Sequence, residues 1–145
     1  MCIRDRDIEG VIFGLTSTDV LLHLGKEEIV FPRSNDRLRR LASHLIHQRS
    51  FYPLYPPNEE VSVDYERFEK YALLPVQPHV LVLPSDVTHF FKDVNGGLVM
   101  NPSRLVKGDR GGVFTRMRIR PLKKDASKEE KKAFSKRVQA QIVRI

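Results

Sequence analysis

The chain has 145 residues, enough for one modest domain with a buried core. Apolar residues make up 41% and charged residues 30%, the balance of an ordinary globular domain, and no apolar run approaches the roughly 20 residues that span a bilayer. The net charge of +7 is unevenly placed: residues 1–103 carry 11 Lys+Arg against 14 Asp+Glu, a balance of −3, whereas residues 104–145 carry 14 against 4, a balance of +10.

The apolar run Gly10–Leu15 before Thr16-Ser17-Thr18-Asp19 predicts a buried strand of a layered α/β fold. Ser17 or Thr18 is placed to cap a short helix over Asp19–Gly25, with Gly25 as its stop. Residues 26–34 read as a loop. The clearest helix is Asp36–Arg49, where Leu38, Leu41, Ala42, Leu45 and Ile46 share one face and Ser34 or Asn35 supplies the cap. Its other faces are basic, which fits either solvation or contact with phosphate or an acidic partner.

Ser50–Pro57 is too proline-rich for a helix or a strand ladder and reads as an extended, stiff segment. Phe51, Tyr52, Leu54 and Tyr55 give it large apolar area at low entropic cost on docking. That suits a partner interface or the edge of the chain's own core. Asp64–Ala72 predicts a helix with Tyr65, Phe68 and Tyr71/Ala72 on one face. Val80–Leu83 and Gly97–Met100 predict buried strands, with a tight turn at Gly96-Gly97. Gly111-Gly112 opens a strand over Val113–Arg120, in which Arg116, Arg118 and Arg120 form an outer basic face against Met117 and Ile119. Pro121–Lys136 reads as an exposed loop, with a capping-box spacing at Ser127 and Glu130. Val138–Ile145 is expected to pair beside Val113–Arg120. The pattern holds no internal repeat and no internal domain boundary.

Chemistry-bearing constellations are weak. Cys2 as the lone cysteine rules out an internal disulfide framework and a cysteine-ligated zinc site, and suits a reducing intracellular compartment, as does the lack of a signal-peptide pattern. His44 and His47 stand at i, i+3 without a neighbouring carboxylate or a His-Glu-x-x-His pattern. Ser17, Ser85 and Ser103 have no elbow motif or evident base. Gly108–Gly112 lacks the Lys-Ser/Thr of a phosphate loop. No catalytic residue, metal ligand or cofactor site is therefore assigned.

One stretch carries a resemblance. His79–Leu105 resembles the last metal-site unit of a metallophosphoesterase, with strand Val80–Leu83, a turn, strand Gly97–Met100, and Asn101-Pro102-Ser103-Arg104-Leu105. In that fold the turn carries two histidines. Here it reads Pro84-Ser85-Asp86-Val87, with Asp86 and His89 as the nearest residues able to bind metal. Two-metal phosphoesterases hold their ions roughly 3.5–4 Å apart with several converging Asp, His and Asn side chains, and Val87 cannot ligate. A frame without its ligands resembles the B subunits of eukaryotic replicative DNA polymerases. Gln48–Pro57, Asp64–Glu66, Ala72–Pro75, Phe91–Val94 and Gln141–Ile145 follow in matching order and point to the polymerase alpha–primase branch.

The resemblance implies an α/β fold, the C-terminal half of a degenerate calcineurin-like metallophosphoesterase domain, with a layered β-sheet flanked by helices over residues 7–145. Residues 1–6 fall outside it and are set aside as a cloning or assembly remnant. It also implies a nuclear, non-catalytic scaffold that binds the C-terminal domain of the polymerase alpha catalytic subunit and, through it, primase, with DNA met indirectly. On this reading Phe51, Tyr52, Leu54 and Tyr55 are candidates for the partner interface. Two other functions compete: an active metal-dependent phosphoesterase, and a nucleic-acid-binding module using the basic C-terminal third through Arg116, Arg118 and Arg120.

Overall fold

A computed structural model describes residues 3–29, 36–121 and 134–145. Among them, five strands form one mixed sheet: β1 (Ile3–Ile8), β2 (Val11–Thr16), β3 (Val80–Val82), β4 (Phe90–Val94) and β5 (Gly97–Asn101). Their order across the sheet is β1-β2-β3-β5-β4. The central strands β2, β3 and β5 run parallel, and β1 and β4 close the two edges antiparallel. The helices are α1 (Val20–Glu27), α2 (Arg37–His47) and α3 (Tyr65–Tyr71). Two short strands, β6 (Val106–Lys107) and β7 (Arg110–Gly111), precede the long hairpin of β8 (Val113–Ile119) and β9 (Val138–Arg144).

The sheet is covered on both faces, which is why its middle reads as continuous apolar sequence rather than alternation. All five residues of β5 are buried. Leu81, Leu83, Phe90, Val94 and Val99 point toward α1 and α2, where they meet Leu21, Leu24, Leu41, Leu45 and Phe51. Val80, Leu98 and Met100 point the other way and meet Phe134, Met117, Ile119 and Val138. The order is thus helices, sheet, hairpin, and the period of two along β3 and β5 sorts the residues between the two cores.

Several elements differ from the sequence expectation. Residues 3–8, most of which the resemblance leaves out, form edge strand β1, with Ile3 opposite Thr16 and Ile8 opposite Val11. Asp19, not Ser17 or Thr18, caps α1 by accepting from the Leu22 amide at 3.0 Å, and the helix runs past Gly25 to Glu27. Arg37 fixes that turn by donating from Nη2 to the Gly25 carbonyl at 2.6 Å. Asp36 caps α2 through the Arg39 amide, while Ser34 and Asn35 lie outside the described residues. In α3, Tyr65 and Tyr71 are exposed; Phe68 and Ala72 supply its buried contact.

Strand β4 is an addition to the sequence expectation. Its signal was Asn95-Gly96, both at positive φ (53° and 84°), the two-residue turn that joins a right-twisted hairpin. Strand β5 begins at Gly97 as expected, and the turn before it is Asn95-Gly96 rather than Gly96-Gly97. Strands β6 and β7 are likewise additions. The pairing of β8 with β9 is as expected, with Arg116 opposite Gln141 and Arg118 opposite Gln139. Most of the loop expected over Pro121–Lys136, including Ser127 and Glu130, lies outside the described residues; Phe134–Arg137 form a 3-10 turn.

The Ser50–Pro57 segment is extended as expected, yet half of it belongs to the core. Ser50 bridges Leu73, and the Phe51 amide donates to the Ala72 carbonyl at 2.8 Å. Phe51 and Tyr52 are each 1% exposed. The Tyr52 hydroxyl accepts from the Asn58 amide at 3.1 Å and lies 3.2 Å from His23 Nδ1, which satisfies both buried polar groups.

Candidate functional site

In open α/β sheets, ligands gather outside the carboxyl ends of the parallel strands. Here β2 leads into Thr16–Asp19, β3 into Leu83–Val87 and β5 into Asn101–Arg104. These loops hold the Pro84–Val87 turn and the Asn101-Pro102 motif of the His79–Leu105 stretch, and they converge.

Asn101 is the centre of the convergence and is wholly buried. Its Oδ1 accepts from the Ser85 amide at 3.0 Å and the Ser103 amide at 2.8 Å. Its Nδ2 faces the carbonyls of Ser85 (3.3 Å), Val87 (3.0 Å) and Thr88 (3.4 Å). Ser85, also buried, donates from Oγ to Asp19 Oδ1 at 2.5 Å and accepts from the Val87 amide at 3.2 Å. Asp19 Oδ2 takes the Asp86 amide at 2.8 Å while Oδ1 caps α1. Asp86 in turn forms a two-point ion pair with Arg104.

The groups that could have faced a ligand therefore face each other. Asp19 and Asn101 have the side chains a metal site would use, but their acceptor atoms are engaged by backbone amides and by Ser85. Chemically the cluster pins three loops together. A buried network with its donors and acceptors matched rigidifies the strand ends it joins. The turn and Asn101-Pro102 are legible in the sequence, whereas the part played by Asp19, 66 residues before Ser85, is not. The available signal was an Asx residue in each of two strand-end loops, Asp19 after β2 and Asn101 at the end of β5.

The histidines are dispersed. His23 meets Tyr52; His79 Nδ1 accepts from the Ile12 amide at 3.0 Å; His47 Nε2 is 3.3 Å from Asn95; His44 Nε2 is 3.9 Å from Glu28. His89 is exposed. Among the described residues no group of three or more His, Cys, Asp or Glu side chains is gathered closely enough to hold a metal ion.

The other predicted sites fall in two places. Of the four proposed interface residues, Phe51 and Tyr52 are corrected to core residues, because their rings fill the space between the sheet and α1. Leu54 is half-buried and Tyr55 is 87% exposed. Tyr55 borders an apolar groove of about 210 Å³ with Pro53, Pro57, Tyr65 and Phe68. Arg116 and Arg118 lie on the outer face of β8 and Arg120 directly follows it, all three exposed. A separate ion-pair centre links α1 to α2: Glu28, nearly buried, receives Arg40 at 2.6 Å and Arg37 at 3.3 Å. The Arg40 hydrogen bond outweighs desolvation and holds the Glu28 carboxyl below its ordinary range.

An α/β sheet with its strand-end loops tied shut is the class of domain that the fold defines. The family of the DNA polymerase alpha/epsilon B subunit matches residues 5–92, and the chain belongs to that family. Its relatives include the DNA polymerase alpha B subunit of Rattus norvegicus, 49% identical over 139 residues, covering 95% of this chain and 23% of the relative. The proteins of the same name from Drosophila melanogaster and Schizosaccharomyces pombe are 46% and 36% identical, each over 79% of this chain and 19% and 21% of their own lengths. The chain thus spans about a quarter or less of the curated relatives it matches.

Proposed function

We propose that the chain is the C-terminal part, over residues 7–145, of the inactivated, calcineurin-like phosphoesterase domain of a polymerase alpha B subunit. In this reading it is a nuclear, non-catalytic scaffold in DNA replication. It binds the C-terminal domain of the catalytic subunit and, through it, primase, and it supports primer synthesis. The observation that carries this reading is the closed cluster of Asp19, Ser85 and Asn101, whose acceptors are committed to holding loops. Such a body contributes rigidity and a surface rather than chemistry. Among the described residues no helix is long and apolar enough to cross a membrane.

The surface best suited to a protein partner is the groove beside Tyr55, where exposed aromatic rings stand on a proline-stiffened backbone. The test is capture of the catalytic subunit's C-terminal domain by the full-length protein that carries this chain. Tyr55→Ala with Tyr65→Ala should weaken capture at least about tenfold, since aromatic anchors at interfaces each contribute about 1 kcal/mol or more. Tyr52 is unsuited to this test because its substitution would disturb the core. Unchanged capture by the double variant would remove the groove from the interface.

A further inference from the structure

We propose that the outer face of the β8–β9 hairpin is a binding surface for single-stranded nucleic acid. The inner residues Met117, Ile119 and Val138 pack on the sheet, so the outer row is held in a fixed direction. That row is longer than the arginine alternation alone suggests. With the strand's period of two it reads Phe114, Arg116, Arg118, Arg120, all exposed, Phe114 at 36%. Consecutive members stand about 6.7 Å apart along the strand, since each residue rises about 3.3–3.4 Å. On β9 the outward neighbours are Gln141 opposite Arg116 and Gln139 opposite Arg118, neutral groups able to donate and accept. Among the described residues no carboxylate pairs with these three arginines, and all three are exposed.

The choice of ligand follows from the row's chemistry. Three guanidinium groups in line suit a chain of phosphates, to which arginine can bond bidentately. One aromatic ring in the same row offers a stacking platform to a base. Charged tracks combined with aromatic platforms on a sheet surface are how single strands are held without sequence preference. A duplex keeps its bases stacked inside and would leave Phe114 idle. An acidic peptide would use the arginines and likewise give Phe114 no role. The net charge of this part of the sequence suits a polyanion, since residues 104–145 carry a balance of +10.

The test uses the full-length protein carrying this chain and a fluorescein-labelled oligothymidine of about 20 nucleotides, followed by anisotropy from about 50 to 300 mM salt. Arg116→Gln with Arg118→Gln should weaken binding at least about tenfold. It should also flatten the slope of log affinity against log salt by about 1.4, or about 0.7 for each phosphate of the single strand no longer neutralised. Phe114→Ala should weaken binding about five- to tenfold with the slope unchanged, because stacking releases no counterions. Arg116→Lys with Arg118→Lys should keep the slope, which separates lost charge from lost fold. Failure of the unaltered protein to bind the oligonucleotide, or variants indistinguishable from it, would overturn the proposal. So would an equal loss toward polyglutamate with no effect of Phe114→Ala, which would assign the face to an acidic polypeptide. Capture of the catalytic subunit's domain by these variants should stay unchanged, so this proposal and the scaffold reading fail separately.

Discussion

The strand-end loops and the outer face of the hairpin are both rich in polar and charged side chains, yet they are built on opposite terms. At the strand ends, Asp19, Ser85 and Asn101 bond to one another and to backbone amides. On the hairpin, Arg116, Arg118 and Arg120 point outward with no partner carboxylate among the described residues. Position in the fold alone would nominate the strand ends as the place of function. Their hydrogen bonds reverse that: the closed cluster has its donors and acceptors committed to architecture, whereas the hairpin row keeps its side chains exposed, as the proposed binding face requires.

The comparison can be broken in order of expected effect. Phe51→Ala should be the most damaging change, because the ring is buried between the sheet and the helices; about 3–5 kcal/mol of unfolding free energy should be lost in a denaturant titration. A near-neutral result would mean that the segment is not part of the core. Asn101→Ala should follow. It leaves the buried Ser85 amide unpaired at about 1–3 kcal/mol, and the part-buried Ser103 amide at less. Gly14→Ala should cost less, about 1–3 kcal/mol in total, since the added Cβ would stand 3.0 Å from Leu81 Cδ1 and 3.2 Å from Phe51 Cζ and press both side chains aside. Changes at Arg116 and Arg118 should leave stability within about 0.5 kcal/mol, as substitutions at exposed surface residues usually do.

The ion-pair centre gives a pH signature. Glu28 has its folded pKa below the unfolded value, so its contribution is present above the ordinary carboxylate range and is lost as pH falls through the folded pKa. Asp36, held down first by its hydrogen bond from Lys92, behaves in the same sense. Glu28→Gln should therefore lower stability at neutral pH and flatten its decline on acidification, measured as melting temperature against pH. An unchanged acid profile would show that the Arg40 pair does not influence folding.

How much of this was legible in the sequence depends on the range of the interaction. Helix α2 was plain because its apolar spacing is local, and the β8–β9 pairing followed from matched alternation at the two strands. The cap of α1 is ambiguous locally among neighbouring hydroxyl and carboxyl residues, since all can cap, and Ser85 and Asp86 hold Asp19 from far along the chain. The burial of Phe51 and Tyr52 was undecidable locally: a stiff aromatic segment is equally fit for a core or an interface. Strand β4 was hidden by a strongly polar middle, Lys92-Asp93, although Asn95-Gly96 announced its turn. Phe114 escaped as a site residue because the arginine alternation begins two residues further on.

The central claim is that the strand-end cluster is architectural, and manganese-dependent hydrolysis of bis(p-nitrophenyl) phosphate by the full-length protein tests it most directly. Hydrolysis should remain at the buffer background for the unaltered protein, while Asp19→Asn and Asn101→Ala lower its melting temperature by several degrees. Metal-dependent turnover that either substitution abolishes would contradict the claim and make the same residues a working site.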